Sequence, residues 1–271
     1  RRSAFSPGHV GTRGDVHRIN LTNLYLQTRF NLPERLDVRA SVRYNIFNNI
    51  RKEWDGKITK LNGQSHFEES LYMKLMFGPH VALEGTFDNM VQYYHTLEGL
   101  PVGWNLDMLL PSDTNLKPET ALQATLGTSL TFGKHSGSAG VFYKEMDNLV
   151  FYEYATSLFD SRYNEWINNI CQGQGLSYGA EFLYEYCGRD LYARASYTLS
   201  RSTRSGFANV GEGAEFNAKF DRPHVFNAMT RWKGISAAVT WMSGHWENGA
   251  PETYQLELFG DIMWVPEYYS T

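Results

Sequence analysis

Ser196, Ser200, Asp221 and His224 are the residues whose types would support nucleophilic catalysis, because hydroxyl, imidazole and carboxylate are the parts of a hydrolase triad. Neither Ser196 nor Ser200 stands in a GxSxG elbow, and no glycine loop to cradle phosphate lies near them. Serine alternating along a strand is the ordinary composition of a polar strand face. Asp221-Arg222-Pro223-His224 suits a strand start, since Pro removes a donor where pairing begins. The eight histidines are scattered through connections and turns without the spacing of a zinc site, and no cofactor motif is present. The chain therefore reads as a non-enzyme without metal or cofactor. A different chemistry is offered by aromatics in the long connections. Tyr93, Tyr94 and Trp104 flank one, Tyr163 and Trp166 sit in another, and Trp246, Tyr254 and Trp264 lie in the last. Aromatic faces beside Asn, Asp and Glu suit stacking on a sugar, siderophore or peptide. They suit an interfacial belt or loop-on-loop packing as well.

The elements that position these loops alternate with a period of two. From Ala121 to Phe132, Leu122, Ala124, Leu126, Leu130 and Phe132 share one parity, and Gln123, Thr125, Gly127, Ser129 and Thr131 share the other. That is a strand with one apolar and one polar face. The run Gly133–Gly137 reads as a turn, and Ser138 to Val150 returns as a second strand, which makes a β-hairpin. The same pattern predicts strands over 16–30, 36–46, 71–77, 81–87, 176–186, 191–199, 224–232 and 235–244. A parity shift between Ile19-Leu21 and Leu24-Leu26 predicts a β-bulge in the first. The polar run from about Arg51 to Ser70 reads as a connection. The total is ten strands in five hairpins, with tight turns alternating with connections of roughly fifteen to twenty residues. No helical pattern of useful length and no domain boundary is evident.

A net charge of −4 gives no reason to expect nucleic acid, which requires clustered Lys and Arg. No apolar run approaches the length of a helical membrane span. A mean hydropathy of −0.43 is compatible with a membrane β-barrel, because only alternate strand residues meet lipid. Cys171 and Cys187 fall near the two ends of one predicted strand, too far apart to bond. Arg1-Arg2-Ser3-Ala4-Phe5 has neither an initiating Met nor an apolar leader, so a fragment or processed piece of a longer chain is expected.

Short turns at one end and long loops at the other are the asymmetry of outer-membrane barrels. Phe30, Phe77, Phe132, Tyr186 and Trp232 each stand just before a turn on the apolar parity, one per hairpin, as an aromatic girdle would require. A soluble sandwich or propeller shares the alternation but accounts for neither feature.

From the middle onward the chain resembles the C-terminal barrel of TonB-dependent outer-membrane receptors. The motifs are Pro111-Ser112-Asp113-Thr114-Asn115-Leu116-Lys117-Pro118-Glu119 at a loop-to-strand junction, then Gly140–Val150 with its Tyr143-Lys144 and Asn148-Leu149-Val150, then Gly175–Glu181, Ala195–Ser202 and Phe220–Val225 in order. The resemblance implies an all-β, antiparallel up-and-down transmembrane β-barrel of 22 strands, of which residues 1–271 would supply about ten, without the family's plug domain. It implies a bacterial outer-membrane location, active import of a bulky nutrient, and partners in outer-membrane lipid and the TonB energy-coupling complex, reached through the plug region. A surface lipoprotein is a further partner it admits. The alternative is a receptor-type barrel used as a structural or assembly subunit of an outer-membrane complex.

Overall fold

The computed structural model describes residues 16–33, 35–52, 57–97, 108–113, 115–152, 170–208, 213–244, 246, 255–258 and 261–264. Ten strands form one antiparallel sheet whose neighbours follow chain order: β1 (Val16–Leu32), β2 (Leu36–Lys52), β3 (Ile58–Phe77), β4 (Val81–Gln92), β7 (Glu119–Phe132), β8 (His135–Tyr152), β9 (Ile170–Cys187), β10 (Leu191–Ser205), β12 (His224–Trp232) and β13 (Ile235–Met242). These are the five hairpins expected. Two short strands, β5 (Tyr94–Leu97) and β6 (Met108–Pro111), pair within the connection between β4 and β7. Another, β11 (Phe216–Asn217), pairs with the end of β10. A last hairpin joins β14 (Gln255–Leu258) to β15 (Asp261–Trp264). Among the described residues there is no α-helix, and β1 and β13 are the unpaired edges of the large sheet.

Through the turn-side part of the sheet the register carries the apolar parity from strand to strand without a break. Val38 lies opposite Met73, Leu126 opposite both Gly85 and Val141, and Tyr197 opposite both Phe182 and Phe226. Among the described residues no second layer covers this face: Leu26 is 69% exposed, Phe77 58% and Ile235 68%. A water-soluble sandwich would bury such rows against another sheet. Here they form a single curved wall whose apolar side is left for hydrocarbon. Along β7 the row from Leu122 to Phe132 covers roughly 33 Å at about 3.3 Å per residue, or about 25 Å of height at a tilt of about 40°, the depth of an outer-membrane apolar band. The fold is therefore part of a transmembrane β-barrel. The girdle residues lie on this face, and Phe132 and Tyr186 share one level through His135, which pairs with both. Thr230 shares the face with Trp232, and its hydroxyl donates to the Tyr192 carbonyl (3.2 Å), which satisfies it there.

Three expectations are corrected. β1 has no bulge: its register with β2 runs unbroken from Val16↔Lys52 to Leu32↔Leu36. Ile19 and Leu21 are on the inner face, opposite Asn49 and Phe47, at the height where Phe47 makes the inner wall locally apolar. The run from Arg51 to Ser70 is mostly strand, since β3 starts at Ile58. Above the hydrocarbon a strand needs no apolar face, so its polar sequence hid it. The turn after β7 is two residues, Gly133 and Lys134, with His135 already paired to Phe132. Gly133 takes φ 57°, which glycine tolerates without a Cβ penalty. Cys171 and Cys187 are not bonded to each other, as expected from their places near opposite ends of β9.

Two bulges lie toward the loop end. In β3, residues 62–63 face the single residue 48 of β2. In β8, Asp147 and Asn148 face Gln174 of β9, with Asn148 at φ 59°. The second bulge reverses the parity of β8. Lys144 and Met146 face inward below it, and Leu149 and Phe151 face inward above it, opposite Gly173 and Cys171.

Candidate functional site

The inner face is polar and largely self-paired. Asp37 accepts from Arg29 (2.9 and 3.0 Å) and Arg39 (2.8 Å). Lys74 pairs with Glu84 (2.7 Å), which also receives Tyr72 and Ser129. Arg43 meets Glu68 (3.3 Å) and lies over the Tyr25 ring, and Glu68 also accepts the Val91 N–H (2.9 Å). Toward the loop end these groups border a cavity of about 500 Å³ lined by Tyr25, Arg43, Glu68, Asp88, Gln92 and Lys144, among others. Donors and acceptors of both signs line it, so it suits a polar solute.

Beside this cavity the connection that contains β5 and β6 is clamped to the wall. Tyr93 stacks on Phe47, with ring centroids 4.7 Å apart and planes 7° apart, and Tyr94 meets Phe47 edge-on at 6.0 Å. The Tyr93 hydroxyl lies 2.9 Å from His66 Nδ1. Tyr93 stands outside the spanning strands; burial, with the Glu68 charge adding to it, pushes its hydroxyl up to about 12. It therefore stays protonated at physiological pH. His95 is fully buried, with Nε2 3.0 Å from Ser112 Oγ and Nδ1 3.1 Å from Glu119 Oε1. Asn49 Nδ2 donates to the Ser112 carbonyl (3.1 Å), and Gln64 Nε2 to the Asp113 carbonyl (2.9 Å). Hydroxyl, imidazole and carboxylate have the connectivity of a triad. With Ser112 and His95 both at 0% exposure, however, the set ties the connection together and offers no nucleophile to a substrate.

The junction motif is locked residue by residue. Asp113 Oδ1 accepts the N–H groups of Asn115 and Leu116, closing a side-chain turn. The Gln172 side chain receives the Lys117 N–H (3.0 Å) and donates to the Lys117 carbonyl (2.8 Å) and the Asn148 carbonyl (2.9 Å). Asn148 Nδ2 donates to the Pro118 carbonyl (3.0 Å). Leu116 and Leu110 are buried against Val150 and Ile170. On the other parity, Phe151 packs on Phe207 and Phe216, and a Cβ on Gly173 would come within 2.6 Å of the Phe207 ring. Both faces of the raised β8–β9 end are thus covered by protein, as a strand clear of the bilayer requires. Gln172→Ala is expected to destabilise this junction by about 1–3 kcal/mol, through the loss of three backbone contacts. Proteolysis at 112–118 in folded receptor would rise, and unchanged cleavage would show that the lock is idle.

Of the sequence-predicted residues, Tyr93 is only 3% exposed and Tyr94 is half-buried, both as packing under the connection, while Trp246 is 39% exposed. Trp264 ends β15 opposite Gln255. Trp104, Tyr163, Trp166 and Tyr254 lie outside the described residues. The hydrolase set is not assembled. Ser196 and Ser200 face inward. His224 is on the apolar parity, bonded to the Tyr197 hydroxyl (2.7 Å), and Asp221 is buried on the Ser202 N–H (2.9 Å). Sequence reasoning missed Phe47, Asn49, His95, Ser112 and Glu119. The one available signal was an aromatic at Phe47 on the otherwise polar parity of β2. Among the described residues no group of His, Cys, Asp and Glu is placed to hold a metal ion.

The family model for the β-barrel of TonB-dependent receptor-like proteins matches residues 2–269, and the chain belongs to that family. Three solved structures share its fold. The alcaligin outer-membrane receptor FauA from Bordetella pertussis is 17% identical with a TM-score of 0.55, over 84% of this chain and 38% of that one. The FrpB iron transporter from Neisseria meningitidis is 13% identical with a TM-score of 0.57, over 83% and 32%. The copper transporter OprC is 10% identical with a TM-score of 0.56, over 83% and 35%. The chain thus spans between 32% and 38% of their lengths. No curated protein matches it.

Proposed function

We propose that this chain is barrel wall from an outer-membrane TonB-dependent transporter that imports a bulky nutrient, such as a siderophore, glycan or peptide. The observation that carries the reading is the wall itself: ten strands of a receptor-family barrel, apolar outside and polar inside, with a charged inner cavity beneath a clamped connection. The names of the three structural relatives, an alcaligin receptor, an iron transporter and a copper transporter, support it. On this reading substrate meets the loop end first. Trp246 and the loops that carry Trp104, Tyr163, Trp166, Tyr254 and Trp264 make the first contacts, while Tyr93 and Tyr94 brace the connection beneath them. The solute then passes along the inner face, and energy coupling enters through a plug region engaged by TonB.

The test is deletion of the gene in the producing bacterium, with growth scored on each nutrient class as limiting source and repeated under TonB depletion. Loss of growth on one class in both arms is expected. Normal growth on every class, together with stoichiometric co-purification of envelope proteins, would move the assignment to the structural-subunit alternative.

A further inference from the structure

The turn end of the wall carries a regular arrangement of basic residues. The described residues of the five turns include Arg35, His80, Lys134, Arg189 and Lys233, with Asp190 as an acid, and Glu34 precedes Arg35 in sequence, on a chain whose overall charge is −4. Arg35, Lys134, Arg189 and Lys233 are all exposed. The spacing is fixed by a repeated backbone link, in which each of the first four turns accepts an N–H from the next hairpin. Met76 donates to the Arg35 carbonyl, Thr131 to His80, Cys187 to Lys134 and Lys233 to Asp190, at 2.8 to 3.2 Å. Neighbouring turns therefore stand about two strand spacings apart, roughly 10 Å along a continuous rim.

A second repeated feature lies just above the rim. His80 stacks on Phe132 (4.8 Å), and its Nδ1 donates to the Thr131 carbonyl (2.8 Å). His135 lies 5.0 Å from the Tyr186 ring and 2.8 Å from the Tyr184 hydroxyl. The Lys233 ammonium sits 5.6 Å over Trp232. Three of the five girdle aromatics thus hold a cationic or imidazole group at the level where an acyl chain gives way to its headgroup.

The geometry points to this rim as a binding surface for anionic phospholipid headgroups, each phosphodiester seated between the cations of adjacent turns with its acyl chains on the girdle below. A net-negative lipid gains over a zwitterionic one because no headgroup amine offsets the cations. The inference rests on the barrel wall and is independent of what is transported.

The test uses full-length receptor in mixed micelles of phosphatidylethanolamine with a minor share of phosphatidylglycerol, and the lipids retained after purification are counted by mass spectrometry. Phosphatidylglycerol is expected to be enriched about fivefold over its bulk share, the factor that about 1 kcal/mol per cation implies. The enrichment should collapse toward bulk at about 0.5 M salt, which needs no variant and so no assumption about folding. Lys134→Gln, Arg189→Gln and Lys233→Gln combined should abolish it at low salt, while Lys219→Gln, outside the turns, should leave it intact. Bulk-ratio lipid on the unaltered receptor, enrichment that survives salt or the triple variant, or its loss in Lys219→Gln would each overturn the proposal.

Discussion

Leu126→Arg should cost the folded barrel about 2–4 kcal/mol, whereas Gln123→Arg, three residues away on the same strand, should change stability by no more than about 0.5 kcal/mol. Leu126 lies near the middle of the apolar row of β7, between Gly85 and Val141, and is 54% exposed to the side where hydrocarbon must lie. A guanidinium there has no acid to meet and must drag water or headgroups toward the midplane. Gln123 is on the other parity, opposite Asp88 and Lys144 on the cavity side, where a new cation finds a carboxylate and water. Denaturant unfolding of full-length receptor in lipid vesicles reads both values. If Leu126→Arg were harmless and Gln123→Arg ruinous, the wall would be inside out and every statement about its two faces would fail.

Phe47→Ala should release the clamped connection while leaving the sheet intact. Phe47 is 1% exposed, stacks on Tyr93 and meets Tyr94 edge-on, so truncation removes the floor on which the connection rests. Loss of a buried aromatic of this kind costs about 3–5 kcal/mol. Here the cost falls on a local unit: hydrogen exchange across 93–119 should accelerate on the order of a hundredfold or more, while β7 and β8 keep their protection. His95→Ala should act in the same direction with about 1–3 kcal/mol, by stripping Ser112 and Glu119 of their shared partner. Unchanged exchange across 93–119 in both variants would show that the connection is held by something else.

The membrane-facing part of the fold was legible in the sequence because lipid enforces a strict alternation. The five hairpins, the apolar row of every long strand and the five aromatics before the turns follow from that one constraint. Above the bilayer the constraint lapses. Residues 58–70 form strand while reading as a polar connection, and Ile19 and Leu21 face inward because a neighbouring Phe47 makes the inner wall locally apolar. The clamp joins Phe47, His66, His95, Ser112 and Glu119, which stand far apart along the chain, and no local pattern marks them as neighbours. The junction motif was recognisable as a motif. What it does became visible only with Gln172 and Asn148 set against Lys117 and Pro118.

The extra residue in β8 has a practical meaning for anyone exchanging loops between receptors. Asn148 resets the reading frame of the wall, so strand positions above and below it obey opposite rules of inside and outside. A graft whose seam falls below that point, taken from a donor without the insertion, would remove Asn148 together with Phe151 and leave Phe207 facing a hole. Cutting above it, from Leu149 onward, transfers the loop with its own frame and keeps the membrane half untouched.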